Sequence, residues 1–235
     1  MQEIYRLFKF LLKLQIYFII LTVLMFESIN FIFFPSIIHM LDLFGTMAFA
    51  VTGSFKAIEQ KADIVGVIIL SIITGLAGGI IRDIVFGRFP PIAIIDPIYL
   101  IITISTGITI FFLYPRVKKH WNLFIKFDAI GLGVFTVIGA TVAYTLYGHN
   151  FLVMAFAGVL TAIGGGILRD VFVNQIPIVF IKELYVSASF IGILVFYILL
   201  IFIDSDIAAI IAVVSVTTIR LFAIKYGWNL PRTRI

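Results

Sequence analysis

The sequence predicts an all-α polytopic membrane protein. Its core is seven helices, two inverted three-helix repeats plus a final helix, preceded by an extra N-terminal helix. Three observations lead there. Hydrophobic residues make up 62% of the chain and charged residues 12%, whereas a soluble domain is about 45–50% apolar and about 25% charged. Apolar stretches recur at the length of about 20 residues that a helix needs to cross the hydrocarbon core. The second half of the chain also matches the first when laid upon it.

The elements follow in order. Residues 1–40 form a hydrophobic extension in which Arg6, Lys9 and Lys13 precede an apolar run at roughly 8–34. That charge order suits a secretory signal, but no small-residue cleavage site follows, and Glu27 and Asn30 interrupt the run. The expectation is an uncleaved helix entering from the cytoplasm, with a start at Met25 or Met40 as the alternative. Spans are expected at roughly 42–58, 63–82 and 95–114 within a first repeat, residues 41–126. A second repeat, residues 127–205, holds spans at roughly 127–147, 151–169 and 183–203. Residues 206–235 give a seventh helix, at 206–225, and a basic tail. Turn residues separate them, as in Gly87-Arg88-Phe89-Pro90-Pro91, Gly148-His149-Asn150 and Asp204-Ser205-Asp206. Tyr114, Trp121, Tyr147, Tyr226 and Trp228 stand beside predicted ends, where amphipathic rings favour the membrane interface.

Basic residues in short loops set the orientation. If the first repeat helix runs inward, Lys56, Lys61, Arg116, Lys118, Lys119, Lys126, Arg169, Lys182, Lys225, Arg232 and Arg234 all fall inside. This makes the chain a multi-pass cell-membrane protein with a cytoplasmic C-terminus. Arg82 and Arg88 are the exceptions, and Arg82 beside Asp83 is expected in the protein interior. The net charge of +5 then belongs to cytoplasmic helix ends facing membrane lipids, and no nucleic-acid partner is expected. The absence of cysteine excludes disulfides, thiolate metal sites and thiol nucleophiles, and His39, His120 and His149 form no metal-ligand pattern. No P-loop and no Ser/His arrangement is present. An enzyme is not expected, nor any cofactor or bound metal.

The internal repeat is carried by residues that hydrophobic composition does not explain. Displaced by 86 positions, Asp42 meets Asp128, Gly45 meets Gly131, Phe49 meets Phe135 and Gly53 meets Gly139. Displaced by 87, Thr74 meets Thr161, Gly78-Gly79 meets Gly165-Gly166, Arg82-Asp83 meets Arg169-Asp170, Pro90 meets Pro177 and Asp96 meets Glu183. An odd number of spans per unit inverts the second unit, as in many secondary transporters whose sites lie at the repeat interface.

The chemistry gathers in Thr74-Gly75-Leu76-Ala77-Gly78-Gly79-Ile80-Ile81-Arg82-Asp83 and Thr161-Ala162-Ile163-Gly164-Gly165-Gly166-Ile167-Leu168-Arg169-Asp170. Each glycine weakens a helix by about 1 kcal/mol relative to alanine, so the runs predict a kink whose freed carbonyls line a polar path. The alternative is close helix packing, since small residues let membrane helices approach. Buried charges cost about 2.5–3.5 kcal/mol or more at the bilayer centre. Arg82, Asp83, Arg169 and Asp170 are therefore expected to face protein or water, each arginine pairing with an acid other than its neighbour. Snorkelling to headgroups is the alternative. Asp42, Asp128, Asp96 and Glu183 stand at expected helix starts, as caps or as attractors of cations. Lys56, matched by Val142, is read as a loop charge.

Gly164-Gly165-Gly166-x-x-Arg169-Asp170 and its counterpart Ala77-Gly78-Gly79-x-x-Arg82-Asp83 resemble the trimeric intracellular cation (TRIC) channel family in its prokaryotic branch. That family shares its domain with bacterial proteins described as glycine transporters. The resemblance covers roughly residues 41–225, and Ala77 departs from the triple glycine. It implies a homotrimer with a pore in each subunit, flanked by two kinked helices and conducting monovalent cations, chiefly potassium. By the same resemblance Gly78, Gly79, Gly164, Gly165 and Gly166, with Thr74 and Thr161, mark the pore kinks. Arg82, Asp83, Arg169 and Asp170 form its charged ring. A secondary transporter of glycine or a similar zwitterion needs the same features and stands as the alternative.

Overall fold

The computed structural model describes residues 37–117, 121–181 and 184–228. The expected N-terminal helix, up to residue 36, and Glu183 lie outside the described residues. The chain forms α1 (Ile37–Glu59), α2 (Ile64–Val85), α3 (Ile92–Ile95), α4 (Pro97–Val117), α5 (Trp121–Tyr147), α6 (Phe151–Phe172), α7 (Ile178–Ile181), α8 (Tyr185–Leu199) and α9 (Ser205–Tyr226). Seven of these correspond to the seven expected spans, and the described residues contain no strand. The one-turn helices α3 and α7, at matching places in the two halves, carry too little sequence to show periodicity.

Among the described residues six helices are long and apolar enough to cross a membrane. The seventh, α8, has 15 residues, about 22 Å at 1.5 Å per residue, and turns at 200–203 carry the chain onward. Short polar residues start the helices. Asp63 accepts from the Gly66 amide, Asn150 from the Val153 amide and Asp204 from the Asp206 amide. Gly227 ends α9 with φ 64°, left-handed backbone that glycine adopts without steric cost.

The described residues from Leu41 onward make one compact unit. Its centre is the contact of α2 with α6, flanked by α4 on α2 and by α5, α8 and α9 on and around α6. A side chain on Gly78 would strike the Thr161 carbonyl, and one on Gly165 the Thr74 carbonyl. As one number rises the other falls, so the two helices cross antiparallel, as inverted repeats require. A Cβ at Gly164 would lie 3.1 Å from the Gly78 Cα. Without side chains at these positions the backbones approach closely, which is how membrane helices gain packing energy.

The glycine runs do not unwind their helices: α2 and α6 are α-helical without a break from Ile64 to Val85 and from Phe151 to Phe172. Gly78, Gly164 and Gly165 are contact residues of a helix crossing. Thr74 and Thr161 are fully buried, and their hydroxyls donate to the carbonyls of Leu70 and Ala157 at 2.6 and 2.7 Å. Against them rest Gly53 and Gly139 of the preceding helices, where an added Cβ would come within 2.5 Å of each hydroxyl oxygen. Phe49 and Phe135 meet edge to face at 5.1 Å between ring centroids, in space that Gly131 leaves open for the Phe49 ring.

Candidate functional site

The second-half centre is built on the last turn and a half of α6. Arg169 is 1% exposed, and an arginine so enclosed must have its N–H groups met by protein. Its Nε donates to Asp170 Oδ1 at 2.9 Å, and its Nη2 to Asp170 Oδ2 at 3.3 Å. Its Nη1 donates to Asp128 Oδ1 of α5 at 3.0 Å and to Thr52 Oγ1 of α1 at 2.9 Å. The Tyr185 hydroxyl of α8 reaches Asp128 Oδ1 at 3.4 Å, and the Phe124 ring lies 5.1 Å from the guanidinium carbon. Asp170 Oδ2 also accepts from the Ile178 amide at 2.9 Å, which fixes the start of α7.

The first half repeats the plan. Arg82 donates through Nε to Asp83 Oδ1 at 2.9 Å, with Nη2 at 2.8 Å from the same oxygen. Asp83 Oδ2 accepts from the Ile92 amide at 3.1 Å and so holds α3. Asp42 of α1 accepts from the Tyr99 hydroxyl of α4 at 2.7 Å. An aspartate of the first helix, the Arg-Asp pair of the second and a tyrosine of the third thus recur at both centres. Gly79 and Gly166 border the guanidinium groups: a Cβ there would lie at ordinary contact distance, 3.7 and 3.8 Å, from Nη2 of Arg82 and Arg169.

The two centres are not identical. Nη1 of Arg169 meets Asp128 and Thr52, whereas Nη1 of Arg82 is buried with no hydrogen-bond acceptor among the described residues. The residue matching Thr52 is Ile138, which has no hydroxyl to offer. Asp83 additionally takes Arg88 Nη1 at 3.3 Å. The residue matching Arg88 is Gln175, which turns to α1 and accepts from Lys56 Nζ at 2.7 Å.

Two cavities adjoin these centres. One of about 400 Å³ is lined by Asp128, Arg220, Lys56, Gln175 and apolar residues including Ile178 and Ile224. The other, about 10 Å³, is lined by Asp42, Thr46, Gly75, Gly79, Arg82, Tyr99 and Phe135, with room for about one water molecule. Asp42, Phe49 and Lys56 stand seven residues apart along one stripe of α1. The two cavities are therefore separated by about 21 Å along that helix. Phe49, paired with Phe135, lies between.

Several sequence expectations change. Asp42 and Asp128 are not helix caps, because α1 and α5 begin at Ile37 and Trp121; the two carboxylates bind a tyrosine and an arginine instead. Asp96 does cap, accepting from the Ile98 amide at 2.9 Å. Each arginine pairs with its own neighbouring aspartate, since a long guanidinium arm curls back along its helix, and Arg169 also takes a distant acid as expected. Lys56 is a buried residue of α1, 7% exposed, not a loop charge. Sequence reasoning passed over Arg220, 3% exposed on α9 with its guanidinium carbon 4.7 Å from the Tyr185 ring. A cation late in an apolar helix was the only signal. Among the described residues no group of three or more His, Asp or Glu could hold a metal ion.

With this geometry in place, comparison with known proteins becomes specific. The sequence model of the family described as Glycine transporter matches residues 39–115 and again residues 125–201. The chain belongs to that family. The two matches start 86 residues apart (39 and 125), the displacement at which Asp42 meets Asp128. Curated relatives include a UPF0126 membrane protein of Vibrio cholerae, 37% identical over 83% of this chain and 82% of its own length. The UPF0126 inner membrane protein YadS of Escherichia coli K12 is 32% identical over 83% of this chain and 95% of its own. Among solved structures, the TRIC orthologue from Rhodobacter sphaeroides is 29% identical with TM-score 0.78, covering 82% of this chain and all of that one. A prokaryotic TRIC channel crystallised in 0.5 M KCl is 34% identical with TM-score 0.77, covering 83% of this chain and 98% of that one.

Proposed function

We propose that this chain is a channel for monovalent cations, potassium included, with one pathway in each subunit of a homotrimer. The pathway runs from the Asp42 cavity past Phe49 and Phe135 to the Asp128 cavity, and the C-terminus lies in the cytoplasm. The observation that carries the reading is the recurrence of one Asp–Tyr–Arg–Asp centre at both ends of the α1 stripe, in a fold it shares with TRIC cation channels. Carboxylates buried at both ends attract cations, and the arginines keep them paired when no cation is present. Gly78, Gly164 and Gly165, with Thr74 and Thr161, hold α2 and α6 at the crossing that brings the centres together, and Gly79 and Gly166 border the two guanidinium groups. Arg82, Asp83, Arg169 and Asp170 are the charged groups of the pathway. Gene duplication with units at 41–126 and 127–205 accounts for its pseudo-symmetry.

Purified protein in planar bilayers under a potassium gradient should give discrete current steps reversing near the potassium potential. Replacing Phe49 by alanine removes the ring between the cavities and should raise unitary conductance several-fold. Liposome uptake of labelled glycine without such steps would replace this reading by the transporter one.

A further inference from the structure

We propose that the small cavity beside Arg82 binds one water molecule, which meets the guanidinium nitrogen that the protein itself leaves unmet. The inference stands apart from the channel reading, because it follows from the hydrogen bonds of one centre.

Arg82 is 2% exposed, and its Nη1 has no hydrogen-bond acceptor among the described residues. A buried N–H without a partner is rare in folded proteins, and ordered water is a common remedy. Arg82 also borders a cavity of about 10 Å³, the room that one water needs. Asp42, Thr46 and Tyr99 line that cavity with it. Small cavities with two to four polar partners hold water, whereas apolar ones stay dry. The lining narrows the occupant further, since it must accept from Nη1 and sit beside a carboxylate. A chloride would face Asp42 as like charge, and a cation cannot accept from a guanidinium. Water accepts with its oxygen and donates with its hydrogens. The Asp42 carboxylate and the Thr46 hydroxyl oxygen offer those hydrogens about four and two acceptor sites respectively.

The internal repeat supplies an independent observation. At the second centre Nη1 of Arg169 donates directly to Thr52 and Asp128. Thr52 is matched by Ile138, so the first centre has no hydroxyl in the place that serves Arg169. Thr46 is matched by Leu132, fully buried in an apolar cluster. The first centre therefore has a hydroxyl where the second has none. Both hydroxyls come from α1, six residues apart, and each stands at the centre of a different arginine. The same guanidinium atom is satisfied in two ways: by direct contact in the second half, and through a water held by Thr46 in the first.

The test begins with crystals of the full-length protein, one set grown in chloride salt and one in bromide. The expected result in both is density for a single oxygen at about 2.7–3.2 Å from Arg82 Nη1. A dry cavity overturns the proposal, and so does an anomalous bromide peak there, which would mark an anion site. Thermal unfolding in detergent then checks the energetics. Thr46→Leu installs the side chain of the matching position, fills the cavity and expels the water. It should lower the midpoint by about 5 °C, the shift for a buried donor left unmet in a chain of this size. Adding Ile138→Thr supplies a direct acceptor and should return much of that loss. Should the leucine variant fail to fold, Thr46→Val removes the hydroxyl without enlarging the side chain. It should give a smaller loss, repaired in the same way. A Thr46→Leu protein as stable as wild type, or more so, means that the space was dry and overturns the proposal. So does a loss that Ile138→Thr leaves unrepaired, which marks crowding instead.

Discussion

Replacing Asp128 by alanine is expected to destabilise the protein by about 2–6 kcal/mol, because two buried donors, Arg169 Nη1 and the Tyr185 hydroxyl, lose this acceptor at about 1–3 kcal/mol each. Arg169 is 1% exposed and cannot turn to water. Its Nη1 would keep only Thr52 at 2.9 Å, and the Tyr185 hydroxyl would lose the carboxylate it reaches at 3.4 Å. The matching change in the first half, Asp42→Ala, should cost less. Arg82 leans on Asp83 through two nitrogens, and among the described residues Asp42 accepts from the Tyr99 hydroxyl rather than from the arginine, where a buried polar group left unmade costs about 1–3 kcal/mol. Replacing Asp128 and Arg169 together by leucine should not recover the loss, because Asp170, 1% exposed and paired with Arg169, then becomes the uncompensated buried charge. Denaturation by SDS in mixed micelles reads all three. Equal losses for Asp42→Ala and Asp128→Ala would show that the two centres are held alike, against the geometry.

Most of the architecture was legible because a bilayer limits the options. A chain this apolar must cross as helices, and charged or turn residues mark their ends to within a few residues at Asp63, Asn150 and Asp204. The repeat was legible because glycine, arginine and aspartate are scarce enough in such a sequence for coincidence to fail. Which residues meet was not legible. In helices apolar nearly all round, periodicity no longer separates buried from lipid-facing sides, so Lys56 read as a loop charge and Arg220 was passed over. The pairing of Arg169 with Thr52 joins residues of different repeats, and no internal alignment brings those positions together. The one-turn helices α3 and α7 depend on carboxylates of the preceding helices, Asp83 and Asp170, nine and eight residues back.

The glycine runs show how a magnitude decides between two readings of the same residues. Three glycines weaken a helix by about 3 kcal/mol in total on the scale of water-exposed peptides. Breaking the helix in a membrane would strand backbone N–H and C=O groups at several kcal/mol each. The hydrogen-bonded ladder wins, and α2 and α6 stay helical. What the glycines contribute is contact between backbones, a property of two helices that no single segment of sequence displays.

That conclusion predicts opposite outcomes for neighbouring glycines. Gly165→Ala puts a methyl group against the Thr74 carbonyl and 3.2 Å from the Phe49 ring. A backbone atom cannot rotate aside, so α2 and α6 must separate, at about 1–3 kcal/mol for overpacking. Gly78→Ala meets the Thr161 carbonyl in the same way and should cost about as much. Gly166→Ala meets only the Tyr185 hydroxyl at 3.6 Å and the Arg169 guanidinium at 3.8 Å, both ordinary contacts. It should be neutral or stabilising by up to about 1 kcal/mol, through helix propensity alone. Gly79→Ala, whose nearest neighbour would be Arg82 Nη2 at 3.7 Å, belongs with Gly166→Ala. If the runs served instead to bend their helices, alanine would stiffen every position and all four variants would shift together. Thermal unfolding of the four proteins in one detergent separates the two accounts: a split between Gly78 and Gly165 on one side and Gly79 and Gly166 on the other follows from close packing, and a uniform shift is incompatible with it.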